Sequence, residues 1–350
     1  MSLIEETLRE IQPIDPRWID AAKQRQLELT KPPGSLGRLE DVANRCAAIR
    51  ESFVVTADRP RIVLFAADHG VCAEGVSAYP QEVTAQMVLN FLRGGAAINA
   101  LARAGRIELK VVDMGVAVPL PPSNDLISVR VASGTRNFCE EPAMTEAEAI
   151  AAVGAGIELA RDAAMAGCDV LGFGEMGIGN TTSASTIAAA LSGEPVEAVA
   201  GRGAGADDAC MVRKHSAIRR ALALHAEFLG NPLEMLRCAG GLEIAAMCGF
   251  CLGAAASRVP VVMDGFIATA AAAVAVRLSP ASSGYLFASH RSAEPGHRIF
   301  LAMLGQEPLL DLGMRLGEGT GAALAINIIQ AAVAAFTGMA TFASAGVSGR

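Results

Sequence analysis

Aromatic side chains are scarce in this 350-residue chain: they make up 4% of it, with one tryptophan and two tyrosines. That leaves few stacking platforms, and the net charge of −7 removes the basic footprint that nucleic acid requires. The acidity is ordinary solubility charge and points to no acidic partner. The opening residues Met1-Ser2-Leu3-Ile4-Glu5-Glu6 offer neither a basic leader nor an apolar signal core. Eight cysteines stand singly, at 46, 72, 139, 168, 210, 238, 248 and 251. A chain of this length needs no disulfide scaffold, so reduced thiols and a cytoplasmic location are expected. Charge is missing altogether between Glu318 and Arg350. That stretch is mainly alanine, with Asn327 and Gln330 inside it, whereas insertion favours leucine, isoleucine and phenylalanine. It reads as a buried or oligomer-facing helix, and no membrane is expected.

What the chain has in quantity is small residues. It is 52% hydrophobic with 36 glycines and long alanine stretches, a composition for helices packed closely on a sheet. The length allows a large core, with one large domain and a smaller lobe. Residues 1–52 read as helical, with segments near Trp18–Leu29 and Leu39–Glu51 around the breaker-rich Lys31–Gly37. Arg61–Ala67 reads as a buried strand, Pro80–Ala104 as one long helix, and Leu109–Val112 and Leu126–Val131 as further strands. Thr145-x-x-Glu148 is a capping box that opens a helix to about Ala166. Strands at Asp169–Phe173, Arg258–Met263 and Tyr285–Ser289 then alternate with helices at Ser183–Leu191, Ile267–Arg277 and Pro295–Leu304. This alternation predicts an α/β fold, a parallel sheet with helices on both faces. Ligands in such sheets bind beyond the carboxyl ends of the strands, where Asp68, Glu175, Asp264 and His290 should converge.

Two loops share one form: a lone carboxylate among glycines, leading into threonine and an alanine-rich helix. They are Gly174-Glu175-Met176-Gly177-Ile178-Gly179-Asn180-Thr181-Thr182 and Gly317-Glu318-Gly319-Thr320-Gly321-Ala322-Ala323. A helix start offers unpaired N–H groups and a positive dipole end, so phosphate fits there, and a glutamate beside it can take a proton. Gly172-x-Gly174-x-x-Gly177 matches the dinucleotide fingerprint literally, but Glu175 would sit where a pyrophosphate should lie. A single phosphate held by Gly177 to Thr181 fits better, with a bare strand–helix turn as the plain alternative. Gly201-Arg202-Gly203-Ala204-Gly205 is a second glycine loop, with Lys214 as a candidate phosphate partner. His69, His290 and His297 lack zinc-helix spacing, and no metal or cofactor is expected. Cys248-x-x-Cys251 reads as core packing. Glu243, the one charge in its apolar helix, needs a partner: an arginine or the cleft wall. Apolar neighbours around Glu318 would desolvate it and raise its pKa, the tuning a general base needs.

Taken together, KPPGSLGRL (31–39), ADHGV (67–71), GEMGIGNTT (174–182), GRGAG (201–205), GGLEIAAM (240–247), DGFI (264–267), HRSAEPGH (290–297) and LGMRLGEGTGAA (312–323) are similar to the nicotinate-nucleotide:dimethylbenzimidazole phosphoribosyltransferase family. The resemblance runs in order over most of the chain. It implies a Rossmann-like domain over 59–304 and a small, mainly helical lobe built from both termini, 1–58 with 305–350. It also implies a cytoplasmic homodimer whose small-molecule substrates are nicotinate mononucleotide and dimethylbenzimidazole. Residue by residue, it makes Glu318 the general base. Glu175, Gly177, Gly179, Asn180 and Thr181 would hold phosphate and ribose, helped by Gly203, Gly205 and Lys214. Tyr79, Gln86, Met87 and Leu316 would receive the base; some members carry serine and glutamine at the positions of Tyr79 and Met87. Rival readings are a nicotinamide-dependent oxidoreductase on the Gly172–Gly177 loop, a metal-dependent hydrolase on His69, Asp264, His290 and His297, and a non-catalytic nucleotide-binding protein.

Overall fold

The structure, a computed structural model, describes residues 1–348. Six strands form one sheet: β1 (Pro60–Ala67), β2 (Glu108–Gly115), β3 (Leu126–Ser128), β4 (Val170–Met176), β5 (Val261–Met263) and β6 (Leu286–Ala288). Their order is β3-β2-β1-β4-β5-β6, and every neighbouring pair is parallel. The chain therefore builds outward from β1 to one edge, crosses back, and builds from β4 to the other. This is the Rossmann order, and a crevice opens beyond the carboxyl ends of β1 and β4, where the winding reverses. Asp68 and His69 follow β1 directly, and Glu175 is the penultimate residue of β4.

Small residues set how closely the layers approach. On one face lies the helix Leu242–Ala256, buried along nearly its whole length, with Glu146–Met165 against it. A Cβ at Gly156 or Gly249 would collide with the main chain of the opposite helix, at Ala246 and Val153 respectively. Glycine there permits backbone-to-backbone contact. Phe65 of β1 and Phe173 of β4 meet Phe250 edge-on at centroid separations of 5.6 and 6.0 Å, an arrangement that aromatic quadrupoles favour. On the other face lies Thr320–Gly338, which buries Ala322, Ala325, Ile326, Ile329, Val333 and Phe336 at helical spacing. It is the one helix among the described residues long and apolar enough to cross a membrane, and this stripe is turned onto the sheet instead.

Helices Leu3–Glu10, Pro16–Glu28 and Arg38–Arg50 precede the sheet. Arg38–Arg50 packs on Thr320–Gly338, and Leu29 bridges antiparallel to Thr341, so the two chain ends meet. Their buried side chains are continuous with the main core. Residues 349 and 350, the end of the expected lobe, lie outside the described residues.

Three expectations need correction. The long helix over Pro80–Ala104 is two, Val83–Leu92 and Ala97–Ala104, because Gly94 at φ +76° breaks the run. The edge strands β3 and β6, and β5 beside β6, have three residues each, shorter than their apolar patterns suggested. β4 runs on past the expected strand end at Phe173, so Gly174 and Glu175, like Gly172, belong to the strand itself and not to a loop after it. The two glycines are explained by packing: a Cβ at Gly172 would meet Ile326, and one at Gly174 would lie 2.5 Å from the Glu318 carbonyl carbon. The fingerprint match is a groove for a helix.

Gly174→Ala should therefore push the start of the C-terminal helix off β4, at a cost of about 1–3 kcal/mol from overpacking. Gly154 faces only the Leu3 Cδ2, 3.7 Å from an added Cβ, so Gly154→Ala should be neutral or mildly stabilising through helix propensity. Thermal denaturation should show Gly174→Ala melting clearly below the parent and Gly154→Ala at or above it; a Gly174→Ala protein that melts like the parent contradicts this packing.

Candidate active site

Gly317, Glu318 and Gly319 adopt φ of +85°, +63° and +88° in succession. For the glycines this is free, but for Glu318 it is a strained conformation of the kind that persists where surroundings over-determine it. Asp264, one residue beyond β5, supplies the constraint. Its Oδ2 accepts the Gly319 N–H at 2.9 Å, and its Oδ1 accepts those of Gly321 and Ala322 at 2.7 and 3.1 Å. Gly319 has no side chain with which to cap Thr320–Gly338, so a carboxylate from the neighbouring loop does it. Burial pushes Asp264 up to about 7, against the pull of these N–H groups.

Glu318 is thereby turned into a cavity of about 660 Å³ at the carboxyl ends of the strands. Its Oε2 accepts the Ile98 N–H at 3.5 Å, in the first turn of Ala97–Ala104. Burial raises its carboxyl above the ordinary range, with the Ile98 N–H opposing and the Asp264 charge adding. Glu175 lies on the other side of Gly317, where a Cβ would strike its Oε1. The Asn180 side-chain amide donates to Glu175 Oε2. Burial, and then the charges of Glu243 and Asp264, lift Glu175 to about 8.

Asn180 begins the helix Asn180–Ser192 after Gly179 at φ +97°. Gly177, Asn180 and Thr181 line the cavity, while Gly179 turns away onto Cys72, whose Sγ would lie 2.8 Å from an added Cβ. Lys214, one of four lysines in the chain, is also off the cavity surface. It is buried, its Nζ donating to Thr181 Oγ1 and to the Gly201 carbonyl, each at 2.9 Å. Burial lowers it to about 8, with Glu294 opposing. Gly203 lines the cavity, but Gly205, at φ +110° with nothing near it, only turns the loop. On the apolar wall stand Tyr79, Val83, Met87 and Leu316. Gln86 does not join them: Val83 and Met87 are one helical repeat apart on one face, and Gln86 is rotated out to solvent.

Several lining residues were not marked by sequence reasoning. Glu294 accepts the Gly203 N–H at 2.9 Å, and Arg315 Nη1 donates to the Gly203 carbonyl at 2.9 Å, so the second glycine loop is clamped from both sides. An acid directly before a proline that opens a helix, Glu294-Pro295, was the available signal. Glu243 has neither of its expected surroundings. It meets His69, Nε2 to Oε1 at 2.6 Å, with both side chains fully buried behind Gly177. Asp68 Oδ2 accepts the Ala117 N–H at 2.7 Å. Among the described residues, no three histidine, cysteine or acidic side chains gather as a metal would need. A roomier depression of about 800 Å³ lies between the chain ends; among the described residues its acidic and basic groups are Glu28 and Lys31, the latter paired with Glu40 at 2.7 Å.

Comparison with known proteins gives a consistent result. The profile of a family described as Phosphoribosyltransferase matches residues 11–347. A nicotinate-nucleotide–dimethylbenzimidazole phosphoribosyltransferase of Roseiflexus sp. (strain RS-1) is 53% identical over 350 residues, spanning 100% of this chain and 99% of that protein. One of the same name from Chloroflexus aggregans (strain MD-66 / DSM 9485) is 52% identical over 348 residues, 99% of each. A crystal structure of such an enzyme from Thermus thermophilus superposes with a TM-score of 0.89 at 49% identity, covering 95% of this chain and 99% of that one.

Glu175 makes stability pH-dependent in a definite direction. Its folded value of about 8 lies above the ordinary 4.5, so between those values the folded protein keeps a proton that the unfolded chain has released. The stabilisation from this group is complete below the lower value and is lost as pH rises through the upper one. Glu175→Gln cannot titrate, so its melting temperature should gain on the parent's from pH 5 to 8 and then run parallel to it. A constant offset over that range would remove the protonated carboxyl from the site.

Proposed function

The chain belongs to the phosphoribosyltransferase family, and on that premise we propose that it transfers the phosphoribosyl group of nicotinate mononucleotide to 5,6-dimethylbenzimidazole, yielding α-ribazole 5′-phosphate and nicotinate. The observation that carries the assignment of roles is Glu318, a buried carboxylate with a raised pKa, held in a strained conformation on the cavity wall.

The reaction asks little of the protein in proton chemistry. The leaving group is a pyridinium that departs as a neutral ring, so no general acid is required. As one azole nitrogen bonds to the anomeric carbon and the C–N bond to the pyridine breaks, the other azole nitrogen loses its proton to Glu318. Displacement from the opposite face converts a β-linked donor into an α-linked product. One carboxylate suffices, where glycoside hydrolysis uses two. The start of Asn180–Ser192 and the Gly203 loop suit the phosphate, with Lys214 acting through Thr181. The wall of Val83, Met87 and Leu316, with Tyr79 at its rim, suits a flat methylated ring.

The eight cysteines are all free, which supports a reducing, cytoplasmic setting. Assembly as a homodimer is supported by family resemblance. The oxidoreductase reading loses its motif, since Gly172 and Gly174 are covered by the C-terminal helix.

Incubation with nicotinate mononucleotide and a panel of azoles, with nicotinate release followed by chromatography, tests the activity. Glu318→Gln should cut turnover by about 10² or more, the scale of a lost general base, while nucleotide binding survives. Near-normal turnover would remove Glu318 from that role. Lys214→Ala should mainly raise KM for the nucleotide; an effect confined to the azole would contradict a phosphate role.

A further inference from the structure

Two buried histidines beside the cavity have tautomers that their partners fix. The Ser289 hydroxyl donates its single proton to the Asp264 carbonyl at 2.8 Å. Its oxygen is also 2.9 Å from His290 Nδ1, so that nitrogen must carry the proton and donate it. Burial holds His290 well below the ordinary histidine range, at about 4, so the ring is neutral and its Nε2 bears a lone pair. His297 has the opposite arrangement. Its Nδ1 accepts the Ser292 N–H at 2.9 Å, and its Nε2–H donates at 2.9 Å to Thr269 Oγ1, whose own proton goes to the Gly265 carbonyl. Both His297 nitrogens are used, and it serves as scaffold. His290 Nε2 has no hydrogen-bond partner among the described residues, and His290 lines the cavity. Its Cε1–Nε2 edge faces Gly265, another lining residue, where an added Cβ would lie 3.4 and 3.6 Å from those atoms.

The position of this acceptor is set by the segment that carries Glu318. Glu175 packs on Gly317, Asp264 holds Gly319, and His290 packs on Gly321. Along this segment Glu318 falls between the glycine packed on Glu175 and the glycine packed on His290, and all three side chains line the one cavity. The base takes its proton from the azole nitrogen that does not bond to the anomeric carbon, so it stands across the azole ring from that carbon, and the ribose hydroxyls are the hydrogen-bond donors of the nucleotide left for other groups lining the cavity. A neutral nitrogen lone pair suits a hydroxyl donor. It repels a phosphate or the carboxylate of nicotinate, and the azole's only acidic proton is committed to Glu318. On the transfer reaction proposed above, the geometry points to His290 as the residue that accepts a hydrogen bond from a ribose hydroxyl of the nucleotide, through Nε2.

The test compares nicotinate mononucleotide with its 2′-deoxy and 3′-deoxy analogues. KM for the nucleotide is the readout, because deoxygenation changes the intrinsic reactivity at the anomeric carbon and so confuses kcat. The parent should lose about tenfold in KM on one of the two analogues, as for a single hydrogen bond. His290→Leu should lose as much on the intact nucleotide and no longer distinguish it from that analogue. His290→Gln, whose amide oxygen reaches the place of Nε2, should keep part of the preference. Equal KM for all three nucleotides in the parent overturns the assignment, as does full discrimination in His290→Leu or a defect confined to the azole KM. Should His290→Leu lack a cooperative melt, the parent series and His290→Gln decide the matter, and a Gln variant without any preference counts against it. A parent that releases no nicotinate with any azole would instead refute the transfer itself.

Discussion

One carboxylate, that of Asp264, fixes the geometry on which the rest depends. By accepting N–H groups from Gly319, Gly321 and Ala322 it ties the end of β5 to the start of the last long helix. A helix start with no capping side chain leaves several donors unsatisfied, and burying them without a partner costs more than most single contacts provide. The answer here is a negative group from a different part of the chain. It seats the helix dipole and at the same time forces the residue before the helix into the left-handed region. The same aspartate lies beside His290, with Oδ1 3.9 Å from Nδ1, so the two walls of the cavity are referred to one point.

The cavity is unusual in its charge. Glu175, Glu294 and Glu318 line it against a single lining cation among the described residues, Arg315, yet the ligand proposed for it is itself anionic. Ionised together, these groups would repel any phosphate. Burial resolves much of this, since a carboxyl lifted to about 8 is mostly neutral near pH 7 and can donate a hydrogen bond. The Gly203 main chain takes up one Glu294 oxygen. Lys214 sits behind Thr181, adding positive charge without occupying space. A site of this kind binds an anion through oriented dipoles and neutral donors more than through ion pairs.

The alternation of β4, β5 and β6 with helices was legible because apolar runs of strand length were punctuated by Gly and Pro, and the Thr145 capping box was an unambiguous start. The glycine–carboxylate loops also declared themselves, since a charged residue among absent side chains has few structural reasons to be there. Other features were hidden because their causes are non-local. Gly172 and Gly174 looked like a ligand loop until the distant helix that needs them was in place. Glu243 and His69 are 174 residues apart, and nothing local to either announces the other. Gln86 was misplaced by a one-residue ambiguity that only helix phase resolves. His290 could be marked as lying after a strand, but its protonation pattern depends on a serine hydroxyl whose direction no sequence specifies.

All six strands are complete by residue 288, whereas the glutamate read as the base comes at position 318 and the helix that covers β4 follows it. A chain emerging from the ribosome would thus carry a complete sheet whose β4 glycine groove is not yet covered, open to water and to other nascent chains. Closing that groove and bringing Glu318 to the cavity are one event, because one segment does both. With Glu318 as the proposed base, partly synthesised molecules would be inert as well as sticky, and competence would arrive with the final stretch of translation.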